Sequence, residues 1–68
     1  MTTDSSVRQH LISKVEEERD YVLSELQKRV EKAHRYGDSE FEIRIKNDIE
    51  TLKKVYSHRL QTLKASDN

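Results

Sequence analysis

Only one residue in this chain readily ends a helix. Gly37 is the sole glycine, and proline is absent throughout the 68 residues. Everything on either side of Gly37 is therefore free to be helical, and the argument becomes whether the two flanks have a helical pattern. From Val7 to about Tyr36 they do. At about 100° per residue, Leu11, Ile12, Val15, Val22, Leu23, Leu26, Val30 and Ala33 fall within an arc of roughly 120°. No two-residue alternation of the kind a strand needs is present. Leu11, Val22 and Ala33 recur every eleven residues, as do Val15 and Leu26, a period that keeps a helix nearly straight.

Past the glycine, Ile45, Ile49, Leu52, Tyr56, Arg59 and Leu63 alternate spacings of four and three, a heptad seam with Arg59 as its polar intruder. Phe41, Val55 and Leu60 widen that stripe. Two capping signals frame the helices. Ser6 with Gln9 and Ser39 with Glu42 each match the capping box, in which a serine is answered by Glu or Gln three residues later. Gly37 fits the left-handed position just beyond a helix end. These signals predict an all-α chain: one antiparallel two-helix hairpin, coiled-coil-like, with helix 1 over about 6–36, a turn at about 37–38 and helix 2 over about 39–64. The whole chain is then a single domain.

The solvated sides agree. Glu25–Arg29, Glu31–Arg35, Glu40–Arg44, Glu42–Lys46 and Glu50–Lys54 are acid-before-base pairs four apart, each worth about 0.2–0.5 kcal/mol in a helix. Charged residues make up 38% of the chain and hydrophobic ones 32%, so this ordered pattern is what argues against disorder. If the turn centres on Gly37, residues at one level have numbers that sum to about 74. Arg59 is then expected near Glu16, and Arg29 near Asp48 and Ile45.

Composition narrows the function. Thirteen basic residues balance thirteen acidic ones, without the basic excess of a dedicated nucleic-acid binder. There is no cysteine, hence no disulfide, thiolate metal site or thiol nucleophile. No apolar run suits a signal peptide or a bilayer span, and the default expectation is a cytoplasmic protein. Glu31 and His34 match the Glu-x-x-His pattern of di-iron bundles, but they fall outside the apolar arc, where such ligands do not point. His10 and His58 approach each other at the open end, while His34 lies near the turn. Three histidines so spread do not make a metal set. Lys28, Arg29, Lys32 and Arg35 gather toward the end of helix 1, where cations complement the helix dipole. Neither a phosphate loop nor a strained nucleophile turn is present. The expectation is a protein without catalytic residues, cofactor or metal.

The apolar stripes are wider than one helix–helix seam requires. Ile12, Leu23 and Val30 form one shoulder of helix 1, and Ile49, Tyr56 and Leu60 one shoulder of helix 2. An isolated hairpin is expected to leave such shoulders exposed, and contiguous exposed apolar surface marks an interface. These six residues are the candidate partner-binding set, and the bundle is expected to be completed by a partner or a second copy. Tyr21 and Tyr36, at the stripe margins, are further candidate anchors.

The turn Arg35-Tyr36-Gly37-Asp38, with the aromatic Phe41 opening helix 2, resembles that of the small co-chaperones of type III secretion needle proteins, the YscE-like family. The likeness extends to the layout of a long first helix, a short turn and an amphipathic second helix. It implies a chain that joins a larger helical chaperone and helps keep the needle subunit soluble and unpolymerised before export. The competing expectation is a homodimeric four-helix bundle that regulates by binding RNA, through the region from Lys28 to Arg35, or another protein.

Overall fold

The structure is a computed structural model and describes residues 2–65, with side chains described from Ser6 onward. It consists of two helices, α1 (Thr2–Arg35) and α2 (Ser39–Ala65), folded back on each other as an antiparallel hairpin about 54 Å long. The all-α hairpin class is thus as expected, and the chain contains no strand among the described residues.

α2 starts at Ser39 as expected, but the start of α1 and the cap of α2 differ from the expected ones. The helical backbone of α1 runs on through Ser6 to Thr2, so Ser6 is an interior residue and caps nothing. Residues 2–6 are polar but include no helix breaker, and the four-residue extension needs no other cause. At the other junction the cap is Asp38 and not Ser39. The Phe41 N–H donates to Asp38 Oδ1 at 3.2 Å, and the Glu42 N–H donates to the Asp38 carbonyl at 3.0 Å. Those two bonds define an N-cap.

Asp38 also finishes α1. Its N–H donates to the Ala33 carbonyl at 2.9 Å, while the Gly37 N–H donates to the His34 carbonyl at 3.1 Å. This pair of bonds is the Schellman closure, and it requires a left-handed residue at Gly37, whose φ is 72°. One residue therefore terminates the first helix and initiates the second. The connection has no slack.

Between the helices the seam is apolar. Val30, Ile45 and Ile49 form a buried cluster, with Leu23 and Leu26 packed against them. Ala33 continues the seam toward the turn; Ile12, Tyr56 and Leu60 continue it toward the open end. On α1 the seam follows Ile12, Glu16, Arg19, Leu23, Leu26, Val30 and Ala33, alternating spacings of four and three. Two of those seven positions are charged, and both lie in the half away from the turn. The register differs slightly from the expected one: Arg59 approaches Glu18 (3.7 Å) and not Glu16. Among the described residues, Arg29 makes no ion pair with Asp48.

Candidate interaction surface

The structure overturns the exposure on which the six candidate partner-binding residues were chosen. Ile12, Val30, Ile49, Tyr56 and Leu60 are each at most 7% exposed, and Leu23 is half-buried against the core cluster. They are the hairpin's own seam. The physical reason is geometric. A wide apolar stripe states how much of a helix avoids water, but not which edge of the stripe a neighbour covers. Here the helices turned toward the edges assigned to a partner, and the other edges were left bare.

The bare edges lie together. On α1, Leu11, Glu18, Val22 and Arg29, with Tyr36 just past its end, are spaced by seven and four and stack on one side of the helix; on α2, Phe41, Asp48, Leu52, Val55 and Arg59 are spaced by seven, four and three and do the same. Contacts join the two rows on one face of the hairpin. Glu18 on the first row meets Tyr56 and Arg59, and a cleft of ≈ 320 Å³ by the turn is lined by Arg29, Lys32, Ala33, Tyr36, Asp38 and Phe41. The result is a strip with Leu11, Val22, Val55, Phe41 and Tyr36 along its length. Leu11 is 46% exposed, Phe41 and Val55 43% each, and Tyr36 76%. Each helix thus carries two adjacent seams, one satisfied inside the hairpin and one open. Tyr21 and Ile43, also exposed, stand apart on the outer sides of the helices.

The opposite face is polar. A shallow groove there is lined by Arg19, Leu23, Lys53, Ser57, Leu60, Gln61 and Lys64. Toward the turn, Glu42 links the two helices on that side. It accepts Lys46 Nζ at 2.9 Å and meets His34 Nδ1 at 3.3 Å. Lys46, then His34, hold the Glu42 carboxyl below the ordinary glutamate range against the opposing effect of burial.

A polar cluster interrupts the open seam midway. The Tyr56 hydroxyl donates to Glu18 Oε2 at 2.6 Å, and the Arg59 guanidinium lies 5.5 Å from the centre of the Tyr56 ring. The acceptor carboxylate and partial burial raise the Tyr56 phenol above its ordinary range, and Arg59 opposes them. Arg59 is half-exposed beside Glu18, so the pair fixes level more than it adds stability.

Near the end of α1, Lys28, Lys32 and Arg35 recur at i, i+4 and i+7 on the exposed outer side of the helix. Lys28 is engaged by Glu25 at 3.0 Å, and of the four cations from Lys28 to Arg35 only Arg29 and Lys32 border the cleft by the turn. Glu31 is exposed and separate from the His34–Glu42 pair. Among the described residues no group of three or more His, Asp or Glu side chains is placed to hold a metal ion, and no helix is long and apolar enough to cross a membrane. No family model matches the chain, and no characterised protein or solved structure matches it either.

Proposed function

We propose that this chain is a non-catalytic interaction module that docks its open seam onto helices of another protein. The continuous strip from Leu11 to Tyr36 and Phe41 carries the reading. Heptad-spaced apolar positions left without a neighbour are what a helix–helix interface uses. In its most concrete form, following the resemblance of the Arg35–Asp38 turn, the hairpin is a cytoplasmic co-chaperone. It braces a larger helical chaperone, and the pair keeps the amphipathic helix of a needle subunit from polymerising.

Photo-crosslinking inside cells that make the protein tests this. A photoreactive residue replaces Val55 on the open seam or Ser57 on the polar groove. Expected are discrete adducts from position 55, identified by mass spectrometry as a helical chaperone or needle subunit, and few from position 57. Val22→Glu should remove them without loss of helical circular dichroism. Equal labelling from both positions refutes the face. Adducts with an unrelated helical protein keep the face and replace the co-chaperone form.

A further inference from the structure

The open seam has properties that identify an occupant in the protein alone. Its extent is one. The hairpin's broad side measures 54 by 15 Å, a projected area on the order of 800 Å², so a partner laid along it can bury up to about what each side contributes to a standard stable interface. Its charges are the other. The α1 row carries Glu18 and Arg29; the α2 row carries Arg59 and Asp48. Residues level with each other across the hairpin, as Glu18 is with Arg59, thus have opposite signs in both places.

Consider a second copy laid face to face with its turn at the same end. The two-fold axis then runs along the helices, and α1 of each copy lies over α2 of the other at unchanged level. Glu18 meets Arg59 of the second copy, Arg29 meets its Asp48, Val22 meets its Val55, and Tyr36 meets its Phe41. Every helix has only antiparallel neighbours, which also suits the helix dipoles. Lys32 approaches Arg44 of the second copy, but at the rim, where water screens both. The reversed arrangement, with turns at opposite ends, lays α1 over its own copy. Glu18 is at the midpoint of α1 (Thr2–Arg35), so it then faces another Glu18 near the dyad.

We infer that a second copy of this chain covers the open seam, turns side by side, in an all-antiparallel four-helix bundle registered by Arg29–Asp48 and Glu18–Arg59 pairs between copies. The inference rests on the reading of this face as the docking surface and names what fills it when the protein is alone.

Sedimentation equilibrium of the full chain, with circular dichroism on the same samples, tests it by charge exchange. The wild type should dimerise. Arg29→Asp and Asp48→Arg should each weaken the dimer by about tenfold, because each places two like-charged contacts in it. A one-to-one mixture of the two variants should recover near-wild-type dimers. In that heterodimer both intermolecular pairs are opposite in sign, although positions 29 and 48 within each chain remain alike. Mixing therefore reports contacts between copies and not a pair inside the hairpin. If dissociation also unfolds the variants, mixing should restore helicity together with mass. A wild type that stays monomeric at the highest attainable concentration overturns the inference, as does a mixture no tighter than its components. A monomer that still gives position-55 adducts in cells removes only the second copy; loss of the position-55 preference removes the docking face itself.

Discussion

The half of the hairpin next to the turn and the half toward its open end are held together differently. Near the turn, Val30, Ile45 and Ile49 enclose one another, and the Schellman closure and the Asp38 cap satisfy the backbone within a few residues. Toward the open end the α1 seam contains Glu16 and Arg19, and the crossing is made by Tyr56, Leu60 and the Glu18–Arg59 cluster. The first half is close-packed hydrocarbon sealed by backbone geometry. The second is a thinner apolar line with a polar clasp. The lesson is that a hairpin too slender for a deep core concentrates its order where the chain itself supplies proximity, and uses directional contacts to hold level farther out.

The strongest test of that contrast is truncation of one seam residue in each half. Ile49→Ala should cost about 3 kcal/mol, because the cavity it leaves is enclosed. Leu60→Ala should cost about 1 kcal/mol less, since Leu60 borders the shallow groove and the space it vacates opens to water. Chemical denaturation measures both, and equal losses would erase the distinction between the halves. Next in size, Gly37→Ala should cost about 1 kcal/mol. A Cβ there meets nothing within 4 Å, so the loss comes from forcing a φ of 72° on an L side chain and not from a clash. A larger loss would mean that the turn contributes more than its backbone angle.

Tyr56→Phe should lower the thermal midpoint by less than either change near the turn, and it should act most at neutral pH. The folded phenol titrates above its ordinary value, so its bond to Glu18 stabilises below about pH 10 and is lost as pH rises through the folded pKa. The variant should lack that alkaline decline. An identical decline in both proteins would show that the clasp does not hold the open half. The smallest effect belongs to Glu42→Gln on the polar face. Because the folded carboxyl titrates low, its ties to Lys46 and His34 contribute above the ordinary glutamate pKa and fade as pH falls through the folded value. Thermal midpoints of the two proteins should converge in acid; a constant gap would assign the effect to packing.

Much of this architecture is legible in the residues. Gly37, the missing proline and the three-and-four spacing of Ile45, Ile49, Leu52 and Tyr56 suffice for an antiparallel hairpin. The junction is harder to read because Asp38 and Ser39 are both competent caps in succession. Glu42 completes the box for Ser39, yet the hydrogen bonds that close α1 hold Asp38 outside the helix and make it the cap. The binding face is harder still. Ile12, Leu23, Val30, Ile49, Tyr56 and Leu60 share a stripe with Leu11, Val22 and Leu52, and hydropathy does not distinguish a stripe's two edges. That choice depends on the direction in which the helices approach, a property of the pair of helices that neither one encodes alone. The usable signal was the heptad spacing of Phe41, Asp48 and Val55, which marks a second seam once the first has been assigned.

The double duty of Asp38 also bears on the order in which the molecule assembles. With no spare residue in the turn, the first cross-helix contacts close the shortest loop the chain offers and carry the least entropic penalty. Each contact farther out then closes onto a loop already shortened by the one before. Closure from the turn outward, with Ala33 and Ile45 first and Ile12 and Leu60 last, is the low-contact-order route that this topology favours. The Glu18–Tyr56–Arg59 cluster lies halfway along that route, where its bonds fix the level of the two helices for the contacts beyond it.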